Sequence, residues 1–251
     1  MSDRPPPPAI PPWPAVDFAA FGPVETKALP RNQALTAAFM TRNWTMIPHV
    51  THHDEVDIAG FEERRQAWNK SPDAPRLTPL VPLLRAVAAT VLEYPIFATS
   101  LDAAGKNLTW KKYVHLGVVT ETPGGLLVPV IRDCDQKDLG TIASELAEKL
   151  ERARTKGLPM ADMSGGCFSV SSLGNLGGTA FTPIINAPEV AVLGVCPMAM
   201  RPAQDGNGMA WRRVLPVSLS YDHRVINGAD AARFVTSLGT HLRAEALFAH
   251  V

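Results

Sequence analysis

The spacing of apolar positions changes along the chain between a helical period and the period of two that is typical of strands. Helical stripes or long apolar runs occupy four segments, at 32–44, 78–92, 137–156 and 227–246. Alternation or short apolar runs predict strands at 47–56, 114–121, 126–131, 167–173, 190–195 and 211–220. Helices combined with a largely antiparallel or mixed sheet predict an α/β (α+β) fold, built as a two-layer sandwich.

Local signals support the helices and one hairpin. Thr78 followed by Pro79 is typical of a helix start, and Pro123-Gly124-Gly125 is a turn between two predicted strands. The stripe of the first predicted helix contains Leu35, Ala38 and Phe39. The last helix has a stripe that we expect to be buried, made of Ala231, Phe234, Val235, Leu238 and Leu242.

The first residues differ in composition from the rest of the chain. Seven of the first fourteen are proline, which favours an extended arm and builds no core. We therefore predict a Pro-rich linker at 1–22 and one globular domain at 23–251.

Composition narrows the function. Basic and acidic side chains number 24 each, so the basic excess expected of a nucleic-acid binder is absent. We find no secretory signal and no apolar stretch long enough to span a bilayer, and we expect a cytoplasmic protein that binds neither membrane nor nucleic acid. The three cysteines fit no metal or disulfide pattern, which favours buried thiols in a reducing compartment.

The segment 220–228, SYDHRVING, is the first candidate for chemistry. His223 follows a predicted strand, and histidine has the side chain whose ordinary pKa lies closest to neutral, as a general base requires. Asp222 and Arg224 flank it and are predicted to form ion pairs that hold the strand end, although Arg224 is also a candidate for substrate contact. A single histidine is more often structural, so this segment alone does not establish a catalytic site.

The second candidate is the segment 165–179, GGCFSVSSLGNLGGT. It combines a strand that ends in hydroxyl groups with a glycine-rich loop, whose backbone can approach a ligand closely. A hydroxyl group at this position is suited to stabilise an oxyanion, whereas the simplest alternative is an ordinary strand end and tight loop. The Lys-Ser/Thr of a phosphate-binding loop is missing, which excludes nucleotide hydrolysis.

Three histidines in the segment 47–56 suggest a metal site. His49 and His53 share one face of an extended segment, and His52 faces the other side. One ion cannot easily bind all three, and we predict structural roles and no metal.

Together, these segments resemble the catalytic domain of the dihydrolipoamide acyltransferases of 2-oxo-acid dehydrogenase complexes and, more distantly, chloramphenicol acetyltransferase. The resemblance rests on His-x-x-x-Asp/Asn-Gly at 223–228 and on FSVSSLGNLGGTAFTPIINAPEVAVLGV at 168–195. Further matches are NWTMIPHVTHHDEVDI at 43–58 and LGVVTETPGGLLVPVIRD at 116–133. It covers nearly the whole chain and is strongest to the bacterial pyruvate dehydrogenase type.

The resemblance implies roles for individual residues. His223 matches the base that takes a proton from the thiol of coenzyme A, and Ser171 matches the oxyanion donor. Ser172 is the alternative donor, but strand alternation places it on the opposite face. Asn227 matches a residue that orients the site, and it is also suited to cap the following helix, with Asp230 at the third position.

The resemblance also implies substrates and partners. It predicts acyl transfer, with acetyl favoured, between coenzyme A and a lipoyl group that a separate domain or polypeptide supplies. Cofactor contacts are expected at Gly177, Gly178, Thr179 and Arg224. A homotrimer with a site shared between subunits is expected, either alone or within a larger cubic assembly. The expected partners are the lipoyl domain and the other subunits of the complex. A non-catalytic core subunit and a free-standing small-molecule acetyltransferase are the alternatives.

Overall fold

The computed structural model describes residues 12–72, 74–206 and 208–249. Its five helices and ten strands include every element that the sequence predicts. The helices are α1 (Arg31–Met46), α2 (Phe61–Trp68), α3 (Leu80–Glu93), α4 (Leu139–Thr155) and α5 (Gly228–Arg243). Single 3-10 turns occur at Phe18–Ala20, Pro95–Ala98, Met160–Asp162 and Glu245–Phe248. Within the described ranges, no helix has the length and apolar character needed to cross a membrane.

Eight of the strands form one mixed sheet. The strands are β1 (His49–Asp57), β2 (Thr99–Leu101), β3 (Leu108–Trp110), β4 (Leu116–Thr122), β5 (Gly125–Leu127), β6 (Val130–Ile131), β7 (Phe168–Ser172), β8 (Ala191–Val195), β9 (Ala199–Asp205) and β10 (Gly208–Asp222). The sheet order is β1-β10-β8-β7-β4-β5, with β6 paired to β4 and β9 paired to β10. Strand β7 runs parallel to β4 and β8, and the other pairs are antiparallel. Strands β2 and β3 form a separate hairpin.

Helices α2 to α5 pack on one face of the large sheet, which confirms the predicted two-layer architecture. The main core combines alternate residues of the central strands, such as Phe168, Val170 and Leu193, with the helices. The stripe predicted for the last helix is completely buried in α5. On the other sheet face, Val192 packs in a small separate cluster with Ile47 and Ile185.

Helix α1 leaves its apolar stripe uncovered. Leu35 and Phe39 are each about half exposed, and Asn43 is the only buried residue of α1, which is described throughout. Residues 12–30 before it are also exposed throughout. The predicted stripe is therefore present, but it stays about half exposed in the described chain. The predicted linker lies partly in 1–11, outside the described residues.

Helix starts depart from the prediction in one case. Pro79 occupies the N-cap position of α3, and Thr78 contributes only its carbonyl oxygen, which accepts from the N–H of Val81 at 3.1 Å. Asp138, by contrast, caps α4 through its side chain, which accepts from the N–H of Thr141 at 2.6 Å.

Candidate active site

His223 lies in the turn that follows β10, and the backbone on both sides of it is firmly held. The N–H of Asp222 donates to the carbonyl of Val190 at 2.8 Å, and the N–H of His223 donates to the carbonyl of Pro48 at 3.1 Å. The His223 side chain is exposed, and its ring centroid lies 5.8 Å from that of Tyr221. An imidazole on a fixed backbone with an exposed ring has the access that a general base needs.

Asp222 and Arg224 form the predicted ion pair. Nη2 of Arg224 donates to Oδ2 of Asp222 at 2.6 Å and Nε donates to Oδ1 at 2.9 Å, which is a bidentate arrangement. The Asp222 carboxylate is buried, and its hydrogen bond raises the pKa of Arg224. Arg224 thus has a structural task beside His223, and about two fifths of its side chain stays exposed.

Asn227 takes the capping role that the sequence predicts. Its Oδ1 accepts from the N–H of Asp230 at 3.0 Å, and helix α5 begins at Gly228. The side chain is exposed four residues after His223, at the same end of the sheet. Asn227 therefore connects the helix start to the histidine turn.

Ser171 and Ser172 end β7 and face opposite sides of the sheet, as strand alternation predicts. Ser171 is half-buried, whereas Ser172 is exposed and its Oγ accepts from the N–H of Gly174 at 3.2 Å. Ser171 lies level with Val119 on β4 and with Gly194 on β8. Its hydroxyl group therefore belongs to the sheet face that the helices leave open.

The loop after β7 contains the three predicted cofactor contacts of this region. Gly177 and Gly178 have φ values of 104° and 89°, a left-handed conformation that glycine adopts without strain. A Cβ on Gly178 would lie 3.5 Å from Leu173, so the loop folds back on the end of the strand. Thr179 is exposed. The loop thus adjoins the two serines, whereas Arg224 lies at the other end of the sheet.

Within one chain, His223 and Ser171 are far apart. Ser171 pairs with Gly194, and Gly194 pairs with Ser218, which lies five residues before His223 along β10. At about 3.3 Å per residue and about 4.8 Å between strands, the separation is about 20 Å. The structure therefore does not bring these two residues together in a single subunit.

A groove that the sequence analysis missed opens beside the end of β7. Its volume is about 1210 Å³, and Ser172 and Leu173 line it together with Arg65, Arg76 and Arg154. The guanidinium of Arg65 donates to Glu62 and to the carbonyl of Leu77. Apolar walls with Arg76 and Arg154 beside them are suited to a long ligand that carries phosphate groups. The arginines come from three separate segments that only the fold brings together, so no local motif indicates them.

The histidines of β1 have structural partners. Nδ1 of His49 lies 2.8 Å from the carbonyl of Ile47, and its Nε2 accepts from the N–H of Ile185 at 3.0 Å. Nδ1 of His53 lies 2.8 Å from Oγ of Ser218. These contacts supply structural roles for two of the three residues considered as metal ligands.

The three cysteines are free and buried. Burial raises the pKa of Cys134 to about 12 and that of Cys167 to about 11, and it also raises the pKa of Cys196. Since the thiolate is the nucleophile, none of these side chains is suited to carry an acyl group at neutral pH.

The fold is that of chloramphenicol acetyltransferase, whose solved structure matches 81% of this chain with a TM-score of 0.59 at 17% identity. More specifically, the chain belongs to the family of the 2-oxoacid dehydrogenases acyltransferase catalytic domain, whose model matches residues 22–249. The predicted family is confirmed. This match includes the histidine turn, the serine strand and the glycine-rich loop.

Curated relatives are described as the dihydrolipoyllysine-residue acetyltransferase component of the pyruvate dehydrogenase complex. The Pseudomonas aeruginosa protein is 51% identical over 232 residues, covering 92% of this chain and 42% of the relative. The Cupriavidus necator protein is 50% identical over 230 residues, covering 91% of this chain and 41% of the relative. The chain thus spans about two fifths of the length of these relatives.

Two solved structures share the fold of this chain along nearly its whole length. The dihydrolipoamide acetyltransferase of Azotobacter vinelandii has a TM-score of 0.91 and 48% identity, covering 96% of this chain and all of that chain. The cubic core of a pyruvate dehydrogenase multienzyme complex also has a TM-score of 0.91, with 49% identity and the same coverage.

Proposed function

We propose that the chain transfers an acetyl group between coenzyme A and the dihydrolipoyl thiol of a lipoyl domain, as a core component of a pyruvate dehydrogenase complex. One observation carries the assignment of residues. A serine, a histidine and an asparagine are named for the catalytic mechanism of the A. vinelandii enzyme, with 52 positions from serine to histidine and four from histidine to asparagine. Ser171, His223 and Asn227 have the same two spacings. Ser172 does not fit this pattern.

The proposed chemistry is a direct transfer between two thiols. His223 takes the proton from the thiol of coenzyme A, and the resulting thiolate attacks the thioester carbonyl of the acetylated lipoyl group. Ser171 donates a hydrogen bond to the oxyanion of the tetrahedral intermediate. When the intermediate collapses, the carbon–sulfur bond to the lipoyl arm breaks, and His223 returns its proton to that sulfur. The raised pKa values of the buried cysteines agree with a reaction that needs no protein nucleophile.

A site built from His223 and Ser171 requires two subunits, because about 20 Å separates these residues in one chain. We infer a homotrimer in which the histidine of one subunit meets the serine of the next. The exposed stripe of α1, with Leu35 and Phe39, supports association of this kind. The match to a cubic core supports further assembly of trimers and contacts with other subunits of the complex.

Binding of coenzyme A is proposed at the end of β7. Gly177, Gly178 and Thr179 would approach the cofactor through their backbone, and Leu173 connects their loop to the arginine-lined groove. Arg224 would contribute from the histidine side, through the part of its side chain that Asp222 does not use. Both substrates are thiols when reduced, which places the reaction in the cytoplasm under this proposal.

The test is acetyl transfer from acetyl-coenzyme A to free dihydrolipoamide. We expect His223→Ala to lower kcat by about 10²–10⁴-fold, which is the range for loss of a general base. Ser171→Ala is expected to lower kcat by about 10²–10³-fold, as for loss of an oxyanion donor. His241→Ala, at the end of α5, is the matched control and should keep full activity.

Sedimentation of each variant shows whether the assembly persists. A rate for His223→Ala equal to that of the wild type would remove the catalytic assignment. An assembled wild-type protein with no transfer activity would favour the non-catalytic core subunit instead.

A further inference from the structure

The turn that carries His223 is held by the start of β1. The N–H of His223 donates to the carbonyl of Pro48 at 3.1 Å, and the next residue, His49, lies level with Asp222 in the sheet. Because the imidazole of His223 is attached to the same Cα as this N–H, a shift of the Pro48 carbonyl is passed on to the ring. The peptide units around Pro48 therefore fix the place of the proposed base.

The imidazole of His49 binds backbone groups through both of its nitrogens. Its Nε2 accepts from the N–H of Ile185 at 3.0 Å. Since a backbone N–H can only donate, Nε2 carries no proton, and the proton of the neutral ring lies on Nδ1. Nδ1 donates to the carbonyl of Ile47 at 2.8 Å. The ring thus ties together the residues on both sides of Pro48 and attaches them to a distant segment of the chain.

That distant segment is itself fixed by helix α1. The carbonyl of Ile185 accepts from Nδ2 of Asn43 at 2.9 Å, and the Ile185 side chain is completely buried. Asn43 is buried as well, and its Oδ1 accepts from Nε and Nη2 of Arg42. The indole of Trp44 stacks on the His49 ring, with 5.3 Å between the centroids and 29° between the planes. The end of α1 therefore fixes the orientation of the His49 ring.

We propose that His49 is a positioning residue for the proposed base, acting through the Pro48 carbonyl on the backbone of His223. The inference rests on the proposed function and adds to it a residue that touches no substrate. Backbone groups use both ring nitrogens of His49, so neither nitrogen is free to exchange a proton with a thiol. Its effect on the reaction is therefore an effect on where His223 lies.

The experiment measures kcat and KM of the assembled protein for acetyl-coenzyme A and dihydrolipoamide. We expect His49→Ala to lower kcat by about 10²-fold, because a misplacement of about 1 Å in an active site can cost that much. Both KM values should stay close to those of the wild type, since His49 binds neither substrate. His49→Asn keeps an amide that can donate to the Ile47 carbonyl, and its loss of kcat should be smaller.

His52→Ala is the matched control on the same strand. His52 faces the other side of β1 and makes no side-chain hydrogen bond among the described residues. It should keep the kcat of the wild type.

A second background shows whether His49 acts through the base. In the His223→Ala protein, His49→Ala should leave the residual rate unchanged, because the ring that it positions is missing. The same fold loss in both backgrounds would overturn the positioning role, and so would a folded His49→Ala protein with the kcat of the wild type. If His49→Ala does not assemble, His49→Asn takes its place in both comparisons.

The outcomes distinguish this inference from the function on which it rests. A wild-type protein that transfers acetyl and loses this activity with His223→Ala supports the proposed function, whatever the His49 variants show. A wild-type protein that transfers no acetyl removes the proposed function and the inference together.

Discussion

The carboxyl group of Glu189 is buried just before β8, where its surroundings do not offer hydrogen bonds to both of its oxygens. Among the described residues, one of its oxygens and the hydroxyl of neighbouring Ser169 are buried without a hydrogen bond. A Cβ on Gly166 would lie 2.9 Å from its other oxygen, so the packing there is tight. Burial raises the pKa of Glu189 from 4.5 to about 7, although the positive charge of Lys111 acts in the opposite direction.

This raised pKa predicts how stability depends on pH. Between pH 4.5 and about 7 the folded chain binds more protons at Glu189 than the unfolded chain. The contribution of Glu189 to the free energy of unfolding is therefore full at low pH and is lost as the pH rises through this range. The loss reaches roughly 3–4 kcal/mol at most, at about 1.4 kcal/mol per pKa unit. Glu189→Gln should flatten this slope, with thermal unfolding midpoints at several pH values as the measurement.

The exposed Glu151 on α4 offers the matched control for the Glu189 experiment. Glu151→Gln should leave the pH dependence of the unfolding midpoint as it is in the wild-type protein. Parallel slopes for wild type and Glu189→Gln would mean that the buried carboxyl does not titrate in this range.

At the scale of elements, the sequence predicts the helices and strands whose hydrophobic periodicity matches the face that they bury. Helix α5 was predicted at 227–246 with a buried stripe, and Asn227 caps it as expected. Helix α2 was missed because it is short and mostly polar, and β9 was missed because it is a half-exposed strand paired only with β10. The stripe of α1 was predicted correctly, but its exposure depends on what surrounds the chain and not on its periodicity.

The candidate site shows the same limit. The histidine turn and the serine strand are contiguous motifs, so the sequence indicates them. The contacts around β8 depend on the fold, because the ring of Phe181 lies against Gly194 and its N–H donates to Oγ of Ser218 only where β8 and β10 are neighbours in the sheet. Pairing between strands that are distant in sequence follows from the tertiary fold, and a pattern along the chain does not contain it.

The contact between Phe181 and β8 predicts the effect of a small change in the sheet. Gly194→Ala places a methyl group 2.7 Å from the ring, and we expect a loss of about 1–3 kcal/mol in unfolding free energy from overpacking. Phe181→Leu lacks the ring atoms that clash, so the double variant should recover most of that loss. Denaturant unfolding of both single variants and the double variant measures this coupling.

Gly140→Ala on α4 is the matched control, since its nearest neighbours would lie 3.6 Å or more from the new methyl group. It should cost little or add stability, because alanine is favoured over glycine in helices. Losses that simply add in the double variant would show that the ring does not rest on Gly194.

At the scale of the whole molecule, the two ends of the sheet carry different parts of the proposed site. His223, Arg224 and Asn227 lie at the carboxyl end of β10, whereas Ser171 and the glycine-rich loop lie at the carboxyl end of β7. Because β10 and β7 run in opposite directions, their carboxyl ends lie at opposite ends of the sheet along the strand direction. In the homotrimer that we propose, each subunit presents its histidine to one neighbour and its serine to the other, which is the geometry of a closed ring with head-to-tail interfaces.

This arrangement predicts that two inactive variants restore activity when they assemble together. In a ring formed at random from equal amounts of His223→Ala and Ser171→Ala chains, about a quarter of the sites combine an intact histidine with an intact serine. Co-expression with two different affinity tags isolates the mixed assemblies. Every mixed trimer contains one complete site of three, so acetyl transfer to dihydrolipoamide should approach about one third of the wild-type rate. Mixtures of either variant with the double variant carry no complete site and should stay inactive. Mixed assemblies no more active than their parents would contradict a site in which His223 of one subunit works with Ser171 of the next.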